Sequence, residues 1–283
     1  MARRLAEPRR TERGFALVAV LWLLALLGVI AAGFFSEIRI ETRLARNLAE
    51  NAKAEALADA GVQRAVLGLL DLDETTAWRT DGTPYKFALG EGVVWIRLQD
   101  EAGKIDLNRC PDQTLLALFR AAGLHVGDAA SLVDAIAQVR GRDGQRHRDG
   151  TKGAPFEVAS ELLQVPGIDR DLYERIAPNL TVYSARRQVD RAVAPAAVLR
   201  ILPDLAPAEV DEILSTRRRG TGVALPQPDT VTVTSEASTA SGGAFIREAV
   251  LQRTGNPAQP FQVLEWRQRW RTMDLPEAES ATH

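Results

Sequence analysis

Cysteine is nearly missing from this chain of 283 residues: Cys110 stands alone, so no intramolecular disulfide can form, and it reads as a small buried residue. Histidine is scarce too, and His125, His147 and His283 are scattered along the sequence. No H-E-x-x-H, Walker A or G-x-S-x-G run occurs. These absences leave no nucleophile with a base, no zinc cluster and no phosphate-cradling loop to name. An enzyme is not expected.

Charge is missing from one long stretch. In RTERGFALVAVLWLLALLGVIAAGFFSE, every residue from Phe15 to Phe35 is uncharged. At the helical rise per residue, such a run extends roughly 30 Å, about the thickness of a bilayer core. Its far end reads Gly33, Phe34, Phe35, Ser36, Glu37, a poor signal-peptidase site. The leader sets Arg3, Arg4, Arg9, Arg10 and Arg13 against Glu7 and Glu12, a bias that holds it in the cytoplasm and sends the rest across. Proline is absent from the next segment, EIRIETRLARNLAENAKAEALADAGVQRAVLGLL, whose first glycine is Gly61. Ile40, Leu44, Leu48, Ala52 and Ala56 recur there at helical spacing. One helix from Phe15 to about Leu70 is therefore predicted, on the order of 80 Å long by the same rise. Its first half suits lipid, and its second half is amphipathic and needs a partner.

A basic leader ending in glycine, an aromatic residue directly after it, and a membrane helix continuing into an amphipathic one resemble the type IV pilin and pseudopilin families. The resemblance implies that a prepilin peptidase cuts after Gly14 and that Phe15 becomes the methylated mature N-terminus. It also implies that the basic leader is lost, so the formal net charge of −2 becomes more acidic in the mature chain. Most members carry a glutamate where this sequence has Ala19. A carboxylate in lipid is costly unless paired, and its partner in the family is the N-terminal amine of a neighbouring subunit. A subunit at a filament tip has no such neighbour above it. Alanine at this position resembles the minor pseudopilin K family of type II secretion, general secretion pathway protein K.

Past the helix, Val94, Ile96 and Leu98 alternate in EGVVWIRLQD, a strand signal. The pattern then turns helical, and strand signals return only at TVTVTSEAS, AFIREAVLQR and FQVLEWRQRW, separated by glycine and proline clusters. The helical stretch holds a degenerate repeat. Asp106 leads to Pro111 and Leu115 at the spacing by which Asp190 leads to Pro195 and Leu199, and each unit runs into a helix ending near Arg-Gly, in QVRG and RRRG. Proline suits the first turn of such helices. K-type pseudopilins resemble this arrangement, with D-x-N motifs heading the helices of an inserted domain. The second copy keeps Asp190 but has Ala192 where the first has Asn108.

Between the copies, LLQVPGID resembles the hairpin of helix-hairpin-helix modules, which contact nucleic-acid phosphates. Residues 156–184 set Glu157, Glu161, Asp169, Asp171 and Glu174 against Arg170 and Arg175, a balance that repels a polyanion. Packing is the reading taken, and nucleic acid is not an expected partner. RGRDGQRHRDGTKG reads as a surface loop, and its arginines make Asp143 and Asp149 a poor calcium pair. No metal residue and no cofactor is assigned, although related pseudopilins have been seen with calcium. Trp266 and Trp270 read as core packing or a partner contact.

The fold expected is α+β: a pilin-like long N-terminal helix packed on an antiparallel sheet, with a large all-helical domain inserted between strands. The expected divisions are a cleaved leader at 1–14, a transmembrane helix at 15–35, its amphipathic continuation at 36–72, sheet at 73–100 and 221–272, the insertion at 101–220 and a disordered tail at 273–283. The resemblance implies a single-pass protein of the bacterial inner membrane with its C-terminal domain in the periplasm. It further implies assembly at the pseudopilus tip with I-, J- and H-type minor pseudopilins and the major pseudopilin. Two rivals stand beside it: a minor pilin of a type IV pilus or competence system, and a membrane-anchored helix-hairpin-helix DNA-binding protein.

Overall fold

The computed structural model describes residues 12–71, 78–140, 154–219 and 227–269, with side chains on the first helix described at 17–29 and from 43 onward. The run of charged loop residues around Asp143 and Asp149, His147, Trp270 and the C-terminal tail lie outside them. Two compact units are present, Met1–Lys53 and Ala54–His283.

Helix α1, Glu12–Leu70, has no proline to break it and runs through both units. In the first unit its apolar side chains from Leu17 to Val29 are exposed, and so are Leu44 and Leu48. In the second unit the helix buries Ala54, Ala58, Val62, Ala65 and Leu69 against the sheet. The sequence ladder through Leu44, Leu48, Ala52 and Ala56 is thus not the face the sheet covers: Ala52 and Ala56 are exposed. Small residues win because the approach is close. A Cβ on Gly61 would lie 2.1 Å from Ser235 Oγ and 2.8 Å from Val94 Cγ1. Where the helix sits less tightly, Val62 and Leu69 add about 1.5–3 kcal/mol each by burial.

The sheet under α1 is antiparallel and five-stranded, with spatial order β1-β2-β5-β6-β7. Its strands are β1 (Asp81–Leu89), β2 (Gly92–Asp100), β5 (Thr230–Thr239), β6 (Ala244–Asn256) and β7 (Gln259–Arg269). Strand β2 buries Val94, Ile96 and Leu98 on the helix side, the alternation visible in the sequence. Strand β1 gave weaker sequence signals, because its Tyr85 and Phe87 are only half-buried and Pro84 interrupts it. Arg64 closes that side of the helix by lying over the Trp78 and Phe87 rings at 5.7 and 5.5 Å.

Strands β2 and β5 are hydrogen-bonded neighbours, yet more than a hundred residues of chain separate them. That chain forms a second core. It comprises β3 (Ile105–Asp106), α2 (Asp112–Ala121), α3 (Val126–Arg140), α4 (Arg170–Ile176), β4 (Leu180–Thr181), α5 (Ala196–Ile201) and α6 (Pro207–Arg218). Phe119, Leu115, Ile136, Leu162, Ile176 and Leu199 are fully buried at its centre. The body is helical apart from the two-residue parallel pairing of β3 with β4, which joins Ile105 to Leu180 and Asp106 to Thr181. The molecule is α+β: a long helix on an antiparallel sheet, interrupted by a helical body.

Candidate functional site

Gly14 and Phe15 lie within α1, where side chains are not described. Ala19 is exposed on the same helix among Leu17, Val18, Val20 and Leu21. Among the described residues, no helix is long and apolar enough to cross a membrane. The described apolar run ends at Val29, short of the roughly 20 residues a span requires.

The inserted body is built on two matching devices. In the first, buried Asp106 accepts hydrogen bonds at Oδ1 from the amides of Asn108 (2.9 Å) and Arg109 (3.0 Å), and at Oδ2 from Ser184 Oγ (2.9 Å). Asn108 then pairs both ways with the Phe156 main chain: Nδ2 donates to its carbonyl at 2.9 Å, and Oδ1 accepts from its amide at 2.8 Å. Pro111 caps α2, one place before the first turn, and its carbonyl accepts from the amide of Leu115. At the far end of α3, Arg140 Nη1 reaches back to the carbonyls of Leu107 (3.1 Å) and Cys110 (3.3 Å), and Nη2 meets Asp112.

The second device repeats this plan. Asp190 Oδ1 accepts from the amide of Ala192 at 2.9 Å, Pro195 caps α5, and Leu199 is fully buried. At the end of α6, Arg217 Nη1 donates to the Ala194 carbonyl at 2.7 Å and Nη2 donates to the Arg191 carbonyl. In both copies the arginine takes the carbonyl just after the aspartate and the one just before the proline. The sequence repeat marked the aspartates, prolines and leucines but not which arginine closes each unit.

The second device also docks on the sheet. The Asp190 amide donates to the Ala102 carbonyl at 2.8 Å, and Gln99 Nε2 donates to the Val193 carbonyl at 2.8 Å. Gly103 admits this contact, since a Cβ there would lie 2.6 Å from the Val193 oxygen. At the centre of the junction, Asp100 is buried and its Oδ1 accepts from the Ala102 amide at 2.8 Å. Burial, reinforced by the carboxylates of Asp190 and Glu101, pushes its pKa up to about 6 against the pull of the Ala102 amide and Arg186.

Between the insertion and the uncovered face of the sheet lies a polar cleft of about 790 Å³. Its floor is an ion network. Lys104 Nζ donates to Glu101 at 2.6 Å and to Thr232 Oγ1 at 3.2 Å, while Glu248 accepts from Arg267 and from Arg269 Nη1 at 3.0 Å. Burial alone would raise the Glu248 pKa, but the two guanidinium groups outweigh it and hold it below the usual carboxylate range. Tyr183 and Tyr173 line the insertion side, and burial raises both phenols.

Burial pushes the Cys110 thiol up to about 11, out of reach of a thiolate nucleophile at neutral pH. Among the described residues, no group of three or more His, Cys, Asp or Glu could hold a metal ion. LLQVPGID, residues 162–169, runs from the end of the 3-10 turn Ala159–Gln164 through a turn at Gly167 to the start of α4, and Leu162, Val165 and Ile168, with Leu172 and Ile176 of α4, are buried in the core. Its apolar side chains pack the insertion, and nothing supports a helix-hairpin-helix assignment. Trp266 lies on β7, exposed, with the Arg247 guanidinium 5.1 Å above its ring. Arg247 in turn donates to Asp59 Oδ1 (2.6 Å) and Glu55 Oε1 (2.7 Å), tying the sheet to α1.

No protein family and no curated protein matches this sequence. Among solved structures, the chain is similar to a chain of the GspK-GspI-GspJ complex from the type 2 secretion system of enterotoxigenic Escherichia coli, at 17% sequence identity and a TM-score of 0.47, over 83% of this chain and 100% of that one.

Proposed function

We propose that this protein is a K-type minor pseudopilin that caps or initiates the pseudopilus of a type II secretion system. The observation that carries the reading is the helix-backed antiparallel sheet, interrupted between the neighbouring strands β2 and β5 by a body with its own core. The leader with Gly14 and Phe15, and alanine at position 19, support it from the sequence. In this reading α1 anchors the chain in the inner membrane and joins the pseudopilus bundle, with the second unit in the periplasm. A prepilin peptidase removes residues 1–14 and Phe15 is methylated. I-, J- and H-type minor pseudopilins and the major pseudopilin are the partners, and the role is mechanical.

A wide insertion restricts stacking, because successive subunits rise little along a thin filament and their insertions would overlap. The subunit therefore occurs about once per filament. Quantitative immunolabelling tests this together with mass spectrometry of the N-terminus. One label at the tip and methylated Phe15 are expected. Labels along the shaft at the major subunit's density would overturn the tip position, and an intact Met1 in a host with active peptidase would overturn the processing. Gene neighbours encoding a secretion ATPase and a secretin separate this reading from a type IV minor pilin.

A further inference from the structure

Strand β7 ends the sheet, so among the described residues its outer main chain has no strand to pair with. It is 11 residues long. The opposite edge, β1, is blunted by Pro84, a register irregularity and Lys86, devices that deter strand addition. From Phe261 to Arg269, β7 carries neither proline nor lysine. Its own Pro260 and two register irregularities, one between Gln259 and Phe261 and one beside Leu264, lie toward its start, leaving Glu265–Arg269 in regular register with Ile246–Val250.

The two faces of this edge differ in chemistry. Trp266 sits opposite Ala249 and Val263 opposite Leu251, which places both on the α1 side of the sheet. Val263 is 54% exposed and Trp266 41%, although the Arg247 guanidinium of β6 lies over the Trp266 ring. On the other face stand Arg267 and Arg269, with side chains 42% and 44% exposed. Strand β6 meets these arginines with Glu248, and Arg267 also pairs with Glu265 of its own strand at 2.7 Å, which leaves Arg269 the less engaged of the two. A strand added outside β7 would meet them from the other side, and a carboxylate there repeats the pairing the sheet already uses.

We infer that β7 is a docking edge for an extended polypeptide segment of a partner, one that alternates acidic residues beside Arg267 and Arg269 with apolar residues beside Val263 and Trp266. Main-chain hydrogen bonds supply affinity and the alternation supplies selectivity. The inference needs only the open edge and stands apart from the pseudopilin reading.

The test uses the full chain in non-ionic detergent with three acetylated nine-residue probes: alternating valine and glutamate, alternating valine and lysine, and the valine–glutamate peptide N-methylated at alternate amides. The valine–glutamate peptide is expected to bind and to slow hydrogen exchange in β7. The lysine peptide should bind at least about tenfold more weakly, from reversed cross-strand charge. The N-methylated peptide should not bind, and Val263→Lys should weaken binding about tenfold while leaving the melting temperature unchanged. Failure of the valine–glutamate peptide to bind at millimolar concentration would overturn the inference. So would equal binding of the lysine or N-methylated peptide, or protection outside β7. Binding seen only after removal of residues 270–283 would overturn it too, by making that segment the occupant.

Discussion

The two turn-and-helix devices of the inserted body share one plan and differ in how completely they execute it. In the first, a buried aspartate satisfies two amides and a hydroxyl, and Asn108 stitches the turn to Phe156. In the second, Asp190 satisfies the Ala192 amide alone, and Ala192 has no polar side chain to stitch with. Both arginines are paired at both ends of the fork, but Arg217 leaves its buried Nε without a partner. The first device holds its own core together, and the second spends its main chain on docking to the sheet through Ala102 and Gln99. The two copies share the plan, and they differ in the contacts that their places in the fold allow.

The largest expected effect separates the two aspartates. Asp106→Ala strands two amides and the Ser184 hydroxyl in a buried site, at a cost of about 3 kcal/mol. Asp190→Ala frees an exposed turn, at about 1 kcal/mol. Urea unfolding of both variants checks the order. Equal losses would break the distinction between a structural first copy and a docking second one.

A second effect reads the docking side. The native pKa of Asp100 lies near 6, above the unfolded value of 3.8, so the folded state holds this proton more tightly than the unfolded chain. Its contribution to stability is complete below pH 3.8, falls as pH rises toward 6, and stays as a penalty of about 3 kcal/mol at neutral pH. Asp100→Asn keeps an oxygen for the Ala102 amide and cannot ionise. The variant should match the parent at pH 3 and exceed it by about 3 kcal/mol at pH 7.5 in denaturant melts. A parallel shift at every pH would show that the carboxylate is not the titrating cause.

The arginines give a smaller contrast. Arg140→Leu should cost about 1.5 kcal/mol and Arg217→Leu about 0.5 kcal/mol, since removing Arg217 also removes a buried unpaired donor. Thermal melts resolve the difference, and a larger loss at Arg217 would reverse the ranking of the two copies.

Legibility in the sequence followed the range of the interaction. Patterns of local period were plain: the apolar run, the alternation of Val94, Ile96 and Leu98, and the helical break before strands resume. They were enough to foresee a long helix, an antiparallel sheet and a helical insertion. The repeat exposed Asp106 and Asp190 because each sets a local turn. Contacts across long sequence separations were hidden. Nothing near Arg140 announces the carbonyls of Leu107 and Cys110, and the buried acid at Asp100 depends on Asp190 from another element. The covered face of α1 was missed because its marker is small size, in Ala54, Ala58, Gly61 and Ala65, whereas larger residues at Leu44 and Leu48 drew the eye to an exposed face.

The smallest effect asks whether the second copy is merely missing a residue. Ala192→Asn installs the asparagine that Asn108 provides in the first copy. If the motif carried stability by itself, the substitution would add about 1 kcal/mol, the worth of a good side-chain hydrogen bond. Ala192 is exposed, however, and Asn108 works because the Phe156 main chain lies opposite it with both a donor and an acceptor. An asparagine at 192 would exchange hydrogen bonds with water instead, so the expected change is within about 0.5 kcal/mol of zero. Pairing the variant with Asn108→Ala completes the comparison: that loss should be about 2 kcal/mol, because it leaves the amide and carbonyl of Phe156 unsatisfied. A gain near 1 kcal/mol from Ala192→Asn would place the value of the motif in its own turn, and the difference between the copies would then be a matter of sequence drift.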